Sequence, residues 1–524
     1  MAFCEECGAL TESGAAFCGE CGEPCSIMSK AVMAEKATGH ISKSGYLYAR
    51  QCHKLFWNHY NHRGGFPATD PATQLRFDQG HEVGRLACQL FPGGVEPAHD
   101  RFNLAAGVAA TKALLKRGVP IYEASFSHGP AFARVDILVP TGADTWAIYE
   151  VKSSGSVKEV HVQDLAYQKH VLEGAGLRIS GCYLVHVFAG YERGRELSLR
   201  ELFRIAPVED ALLRAEQVSD STVRELLALS RENLDPEVPI GRYCDKPYEC
   251  PLKFRCWAHL PEHSVFTLYR AGEKAWERHE AGVSELTEVP DEELTSRQRI
   301  QKRAVETGRP QVQPDKLRDW LATLEYPLHF LDFETLGGPI PRHPGNHPYE
   351  QVPFQYVLGV VAAPGAPLER HDYLAPDLAD GRLELLRSLK QVVGRKGSVV
   401  AYNAAFEKRC LRQAAKEYTD YAAWVDELSP RFRDLLDPFR KFHYYHPSQQ
   451  GSASLKAIMP LLAGRGYEAL AIRSGMAAVA AFMQSCAAET SEADRARLRR
   501  ELLEYCGTDT EGMLGVCESL ARMA

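Results

Sequence analysis

The stretch AFARVDILVPTGADTWAIYEVKSS, residues 131–154, contains two β-rich runs separated by a turn that includes Gly142. Because such a turn brings the two runs side by side, we expect Asp136 of the first run and Glu150 and Lys152 of the second to lie at adjacent strand ends. Carboxylates are the oxygen ligands that Mg²⁺ prefers, and a lysine beside them can stabilise charge on a phosphate or orient a water. The stretch predicts a sheet that carries a metal site, although Asp…Glu-x-Lys by itself also arises by chance in charged strands.

The segments around this stretch complete a domain that we place at residues 40–265. Apolar spacing predicts helices at Phe102–Lys116 and Val162–Leu172, and strands at Val119–Phe126, Phe132–Val139, Trp146–Lys152 and Ile179–Phe188. This order is typical of the α/β class, with helices packed on the faces of a mixed sheet. On the second helix, Gln163 and Tyr167 are four residues apart and therefore share a face, unless they are ordinary surface and core residues.

Taken in order, Asp136, Glu150-x-Lys152 and Gln163-x-x-x-Tyr167 resemble the RecB-like branch of the PD-(D/E)xK nucleases. The resemblance implies a restriction-endonuclease-like fold in which these five residues form the catalytic site. It further implies that the two carboxylates, Asp136 and Glu150, hold Mg²⁺ or Mn²⁺.

RecB-like relatives usually carry a histidine on the first helix as an additional metal ligand. In this chain the corresponding stretch is GHEVG, residues 80–84. We expect Glu82 to supply the ligand, with His81 as the alternative, because neighbouring residues on a helix point in different directions. A solvated helix face is the other interpretation.

Within this domain, four cysteines flank the predicted strands and helices, Cys52 before them and Cys244, Cys250 and Cys256 after them. One cysteine before and three after resemble the RecB-like nucleases that carry a 4Fe–4S cluster, including CRISPR-associated members. The resemblance implies that the four thiolates bind such a cluster and tie the two ends of the domain together. Zinc is the competing occupant, since four thiolates suit either metal.

The N-terminal residues 1–30 contain two Cys-x-x-Cys pairs, Cys4 with Cys7 and Cys18 with Cys21, each followed by glycine. Each pair can direct two thiolates at one tetrahedral Zn²⁺. So short a segment cannot form a core without metal, and it resembles a zinc ribbon in which Cys25 is spare. Docking to nucleic acid and docking to a protein partner are both open.

Residues 266–325 form the predicted connector, which is acidic at first and basic later. Between Arg297 and Arg318 there are seven basic residues against two acidic ones, Glu306 and Asp315. Such a strip indicates either a path for nucleic acid or a solvated helix and linker.

The last segment, residues 326–524, carries a second set of acids. Asp332 and Glu334 are two residues apart on a predicted strand and therefore share one face. Further strands are predicted at Val352–Val361, Leu368–Leu374 and Ser398–Tyr402, with a helix at Leu383–Val393. Glu407 follows the last of these strands, and Tyr505 and Asp509 share a face of the final helix. This order is typical of an RNase H-like layout.

These motifs resemble the DnaQ-like DEDD exonucleases of the tyrosine subtype. The resemblance implies that Asp332, Glu334, Glu407 and Asp509 hold two Mg²⁺ or Mn²⁺ ions and that Tyr505 positions the attacking water. Glu407 stands where the family usually has aspartate.

The composition of the chain indicates where the protein is located and which kinds of partner it lacks. It is 45% hydrophobic and 25% charged, with a formal charge of −7, which argues against a general coat for polyanions. No apolar run is long enough for a bilayer, and the N-terminus lacks a charged-then-apolar leader, so we expect a cytoplasmic protein with no membrane partner. Fifteen cysteines in a reducing compartment favour metal binding over disulfides.

Together, the patterns predict a metal-dependent nuclease that hydrolyses phosphodiester bonds of DNA ends or single strands at two separate sites. Roles in DNA repair, antiviral defence or CRISPR-type DNA processing fit by analogy. Two alternatives stay open: a DNA-binding adaptor with vestigial sites that recruits a partner through the zinc ribbon, and an RNA exonuclease acting through the second domain.

Overall fold

The computed structural model describes residues 2–3, 10–11, 39–98, 103–215 and 217–524 of the chain. The chain divides into two compact units, the first comprising Met1–Thr69, Gln79–Ala189 and Ser198–His259, and the second Asp70–Asp78, Gly190–Leu197 and Leu260–Ala524. Each unit contains a mixed sheet and several helices, which confirms the α/β class. Within the described residues, no helix is both long and apolar enough to cross a membrane.

At the N-terminus, strands β1 (Ala2–Phe3) and β2 (Leu10–Thr11) pair in antiparallel fashion. The cysteines predicted to form the zinc ribbon, Cys4, Cys7, Cys18 and Cys21, and the spare Cys25 lie outside the described residues. The zinc ribbon therefore stays a prediction.

The main sheet of the first unit has the strand order β3-β5-β6-β7-β8, and β4 also pairs with β5. These strands are β3 (Ile41–Ser42), β4 (Ile121–His128), β5 (Ala131–Gly142), β6 (Thr145–Lys152), β7 (Arg178–Val187) and β8 (Phe203–Pro207). The helices are α1 (Lys43–Gln51), α2 (His53–Asn61), α3 (Pro71–Cys88, in this unit from Gln79), α4 (Leu104–Leu115), α5 (Glu159–Gly174), α6 (Leu199–Leu202), α7 (Glu209–Arg214), α8 (Asp220–Ser230) and α9 (Lys253–Cys256).

The β5 and β6 strands separate at the predicted site. Their antiparallel pairing ends at Ile137 and Tyr149, and beyond that point β6 pairs only with β7, in parallel. The Asp136 Oδ2 atom accepts a 2.8 Å hydrogen bond from the Val151 amide, which satisfies a donor where the ladder has ended. Because parallel strands need a crossover connection, α5 joins β6 to β7 and packs across the sheet.

The second unit has a five-stranded sheet in the order β12-β11-β10-β13-β14 and a small sheet of β9 and β15. The strands are β9 (Gln311–Val312), β10 (Leu328–Leu336), β11 (Val352–Val361), β12 (Leu368–Leu374), β13 (Val399–Ala401), β14 (Phe432–Asp434) and β15 (Tyr444–Tyr445). β10, β11 and β12 pair in antiparallel fashion, whereas β13 is parallel to β10 and β14 is parallel to β13.

The helices of the second unit cover both faces of this sheet. They are α10 (Glu273–Glu280), α11 (Ser296–Thr307), α12 (Pro314–Leu321), α13 (Arg382–Val392), α14 (Ala404–Glu417), α15 (Ala422–Leu428), α16 (Asp437–Arg440), α17 (Leu455–Leu462), α18 (Gly475–Cys486) and α19 (Glu492–Met523). The long α19 begins at the Ser491 cap, which accepts a hydrogen bond from the Asp494 amide, and packs on β10 and β11.

The segment predicted as a connector, residues 266–325, is folded into the second unit. β9 pairs with β15, and Leu317 and Trp320 of α12 are buried in one core with Phe330 of β10. Part of its basic charge is already neutralised, since Lys302 pairs with Asp291 at 2.9 Å. The predicted nucleic-acid path along this strip stays a prediction.

Candidate functional site

The predicted Asp136, Glu150 and Lys152 come together in the first unit, joined by Lys43 from α1 and Asp164 from α5; we call these five residues the first cluster. The Lys152 Nζ atom lies 2.6 Å from Glu150 Oε1 and 2.8 Å from Asp164 Oδ2. The Lys43 Nζ atom lies 3.0 and 3.2 Å from the two Glu150 oxygens and 3.6 Å from Asp136 Oδ1. Two ammonium groups therefore enclose one buried carboxylate.

Two lysines lie among the three acids of the first cluster and stabilise the ionised form of Glu150. Burial and the Asp136 carboxylate act to raise the pKa of Glu150, but Lys152 and Lys43 outweigh them, and the pKa is held below its ordinary value. Burial acts to lower the pKa of Lys43, yet Asp136, Asp164 and Glu150 raise it well above its usual range. Glu150 and Lys43 are therefore ionised at neutral pH, as a site for a cation and a phosphate requires.

The helix α5 supports this cluster through Asp164 and Gln168, which are four residues apart and share a face. Both side chains are buried. The Gln168 amide donates to Glu150 Oε2 at 2.7 Å and to Asp164 Oδ1 at 2.8 Å. The pair fixes the rotamers of Glu150 and Lys152.

The predicted pair Gln163 and Tyr167 does not join the first cluster. The Gln163 amide donates instead to Glu159 Oε1, at 3.4 Å on the exposed side of α5. Tyr167 is fully buried; its hydroxyl donates to the Ile41 carbonyl at 2.5 Å and its ring stacks on Tyr46 with centres 4.7 Å apart. The structure thus places Tyr167 in the core and gives the supporting role to the residues one position later.

The residues predicted to supply the additional ligand form no polar contact with the first cluster in the part of the chain that the structure describes, and their role as ligands stays a prediction. Among the described residues, neither His81 nor Glu82 forms a hydrogen bond or ion pair with the first cluster. The carboxyl that interacts with Asp136 is Glu123, which lies opposite it in the β4–β5 pair with left-handed backbone, φ 51°. Burial and the Asp136 charge raise the pKa of Glu123 to about 7. No sequence motif singles out Glu123.

The four predicted cluster cysteines, Cys52, Cys244, Cys250 and Cys256, line one pocket and are all free thiols. Zinc–thiolate bonds of about 2.3 Å would place the sulfurs about 3.8 Å apart. Among the described residues, no three of these thiols lie within 4.8 Å of one another. Burial and the neighbouring Cys52 thiol raise the pKa of Cys250 to about 11.

In the second unit, the predicted acids Asp332, Glu334, Glu407 and Asp509 form what we call the second cluster. One oxygen each from Asp332, Glu334 and Asp509 lies within 4.8 Å of the others. Glu407, in the first turn of α14, is buried, and its Oε2 atom has no hydrogen-bond partner. Tyr505 is buried one helical turn before Asp509 on α19.

The charges of the second cluster do not balance. Burial, together with Asp509 and Glu334, raises the pKa of Asp332 well above its usual range. Burial and Asp509 raise the pKa of Glu334 to about 8, and burial raises that of Asp509 to about 6. Burial and Asp332 likewise raise the pKa of Glu407. Within the described part of the chain, no lysine or arginine forms an ion pair with these four carboxyls.

Two residues donate hydrogen bonds to the second cluster, and a lysine lies nearby. The Tyr467 hydroxyl donates a hydrogen bond to Asp509 Oδ1, and the Cys506 thiol donates to Asp332 Oδ2 at 3.1 Å. The Lys456 ammonium lies 5.2 Å from the centre of the Tyr467 ring and favours the charged form of Asp509. The sequence analysis missed Tyr467 because it lies between α17 and α18, outside any spaced motif.

Comparison with known proteins reaches only part of the second unit. Residues 329–454, which include Asp332, Glu334 and Glu407 but neither Tyr505 nor Asp509, match a family described as "Domain of unknown function (DUF2779)". No curated protein matches the chain. The match covers less than half of the sequence.

Proposed function

We propose that the chain is a metal-dependent nuclease with two separate phosphodiesterase sites, one in each unit. The observation that carries the proposal is the second cluster, in which three buried carboxyls lie with the partly buried Asp332 and, among the described residues, no lysine or arginine pairs with them. Buried, unpaired acids are costly unless a cation binds them. Divalent cations held by clustered carboxylates serve phosphoryl chemistry, and this favours hydrolysis of a phosphodiester.

The topology of the second unit supports a DnaQ-like DEDD exonuclease of the RNase H-like fold. Three antiparallel strands, β10 to β12, are extended by β13 and β14 parallel to β10. Asp332 and Glu334 lie on the first strand of this sheet, Glu407 follows the fourth, and Asp509 comes from the terminal helix. This is the order that the sequence motifs predicted.

In the proposed hydrolysis, the acids of the second cluster bind metal, and the neighbouring residues position water or contribute charge. Two Mg²⁺ or Mn²⁺ ions, when bound by Asp332, Glu334, Glu407 and Asp509, would stabilise the attacking and leaving oxygens of an in-line displacement. Tyr505, buried beside the acids, would position the attacking water. Tyr467 fixes the orientation of Asp509 through its hydrogen bond, and Lys456 adds positive charge for the phosphate backbone.

In the first unit, Asp136 and Glu150 would hold Mg²⁺ or Mn²⁺, and the fold would be restriction-endonuclease-like with RecB-like motifs. Lys152, oriented by Glu150 and Asp164, would stabilise negative charge on the attacked phosphate. Lys43 contacts both carboxylates and would contribute a second positive charge toward the phosphate.

The cysteine pocket supports a 4Fe–4S cluster with a structural role. Cys52 precedes α2, and Cys244, Cys250 and Cys256 lie near the end of the unit, so one cluster would join segments about two hundred residues apart. Zinc at this site is the alternative, and a zinc ion in the N-terminal residues would serve contact with DNA or with a protein partner.

The proposed substrates are DNA ends or single-stranded DNA, met in the cytoplasm during repair, defence or CRISPR-type processing. The test compares wild type with Asp332→Asn on end-labelled single-stranded DNA and RNA of matched sequence, with Mn²⁺. We expect degradation of the DNA by wild type and slower degradation by the variant. Preferred degradation of the RNA would reassign the second unit to RNA, and binding without cleavage would favour the adaptor.

A further inference from the structure

Two histidines and an aspartate converge in the first unit, and none of them belongs to the first cluster. His128 lies at the end of β4, His170 on α5 and Asp220 in the first turn of α8. The Asp220 Oδ1 atom lies 3.0 Å from His128 Nε2 and 3.1 Å from His170 Nε2. One ligand atom from each residue lies within 4.8 Å of the other two.

These distances approach those of a tetrahedral metal site. With bonds of about 2.0–2.1 Å to nitrogen and oxygen, a tetrahedral zinc ion separates any two of its ligand atoms by about 3.3 Å. Both nitrogen-to-oxygen distances are within about 0.3 Å of that value, so a small outward movement would admit the ion. Imidazole ligands suit Zn²⁺ rather than Mg²⁺.

A simple hydrogen-bonded His–Asp–His chain accounts for only half of the arrangement. His128 Nε2 has hydrogen-bond geometry toward Asp220. His170 Nε2 is buried and has no hydrogen-bond partner, although the Asp220 oxygen lies 3.1 Å away. His170 Nε2 is therefore close to the Asp220 oxygen but does not point at it. This is the geometry expected when the nitrogen and the carboxylate both bind one metal ion placed between them.

The backbone is also arranged for the approach of the His128 ring. A Cβ atom at Gly174, the last residue of α5, would lie 2.3 Å from His128 Cγ. Any side chain at that position would displace the ring from the cluster. Glycine thus permits the contact between the end of β4 and the end of α5.

We propose that His128, His170 and Asp220 bind Zn²⁺, with solvent completing the coordination. The three side chains are 30%, 20% and 50% exposed, which leaves the site open on one side. Such an ion would tie β4, α5 and α8 together. Because α5 also carries Asp164 and Gln168, the ion would restrain the helix that orients the first cluster.

The test removes metal from the full chain with a chelator and then measures how much added Zn²⁺ it binds. The proteins compared are wild type, His128→Gln, His170→Gln and Asp220→Asn. The cysteine thiols also bind zinc, so the informative quantity is the difference between wild type and each variant. We expect each variant to lose one zinc equivalent or to bind it about tenfold or more weakly, a loss on the scale seen when metal sites are perturbed. Equal zinc binding by wild type and all three variants would overturn the proposal.

Two further measurements separate metal loss from misfolding. Asp210→Asn is the matched control, because Asp210 occupies the first turn of α7 as Asp220 occupies that of α8. It should bind zinc as wild type does. Gly174→Ala leaves all three ligands in place and should still lose the ion; unchanged zinc content in that variant would count against the geometry. When the protein is loaded with Co²⁺, wild type and His170→Gln should differ in their absorption spectra. The difference should contain no thiolate charge-transfer band, because the proposed site has no cysteine ligand.

Discussion

Raising the pH of the chelator-treated protein should destabilise the second unit. Glu334 is 8% exposed, and its pKa is raised from 4.5 to about 8 by burial and by Asp509. Between these two values the folded state keeps a proton that the unfolded state releases, so the free energy of unfolding falls as pH rises. The fall is about 1.4 kcal/mol per pH unit for one group, hence about 2–3 kcal/mol between pH 6 and pH 8 from Glu334 alone.

Differential scanning calorimetry in EDTA measures this fall. For a unit of this size, about 2–3 kcal/mol corresponds to a decrease in Tm of roughly 4–12 °C. Mn²⁺ binds the ionised carboxylates and should raise Tm more at pH 8 than at pH 6. Glu150 does not add to this fall, because its pKa is lowered and its contribution is lost only as pH falls into the acid range. Glu123, whose pKa is raised to about 7, destabilises the first unit over part of the same interval, so the effect of Glu334 is taken from the difference between wild type and the Glu334→Gln variant.

Glu334→Gln is the control for this prediction. The amide keeps the shape of the side chain but cannot ionise, so the variant should show a smaller decrease in Tm between pH 6 and pH 8 and a weaker response to Mn²⁺. A Tm in EDTA that is constant or rises over this interval, or a variant with the wild-type response, would refute the reasoning.

Three other predictions concern the first unit. Lys43→Met should lower the free energy of unfolding at pH 7 by about 1–3 kcal/mol in urea titrations, because the buried Glu150 carboxylate loses one of its ion-pair partners. Mn²⁺ should restore part of this loss. An unchanged free energy of unfolding would contradict the prediction. Cys250→Ser should lose iron and visible absorption after anaerobic purification, and a wild type containing zinc instead would show that the pocket holds zinc. In an Asp332→Asn background, which removes the second site, Gln168→Ala should reduce cleavage by the first site about tenfold or more. Gln163→Ala should leave this cleavage unchanged. Equal effects of the two substitutions would contradict the assigned orientation of α5.

Strands β10 and β11 were predictable because short, largely apolar runs rich in aromatic and β-branched residues lie between turn residues, and both strands are buried along most of their length. β11 and β12 begin and end where the sequence placed them, and the acids Asp332 and Glu334 share a face of β10 as their spacing required. Strands of this kind carry their burial pattern in the local sequence, and turn residues mark their ends.

The supporting residues on α5 were not predictable from periodicity. The helix is buried on more than one side, including Val160, Asp164, Tyr167 and Leu172, so the apolar pattern does not define a single inward face. Which polar pair meets Glu150 is decided by the packing of α5 against the sheet. Neighbouring residues on a helix point about 100° apart, so the face of Gln163 and Tyr167 differs by that angle from the face of Asp164 and Gln168.

Lys43 was missed for a different reason. It lies 107 residues before Glu150, and no spacing rule joins a residue at the start of α1 to the end of β6. The burial of Leu317 and Trp320 was not predicted, because four of the eight residues of α12 are charged and the sequence was read as a connector. In both cases the decisive contact is tertiary.

If two separate metal sites hydrolyse phosphodiester bonds, the activity of each can be removed by itself, which is measured by the cleavage of end-labelled single-stranded DNA with Mn²⁺ by four proteins. These are wild type, Asp136→Asn, Asp332→Asn and the double variant. We expect each single variant to retain part of the activity and the double variant to retain none. A double variant that degrades the DNA as fast as wild type would contradict the account.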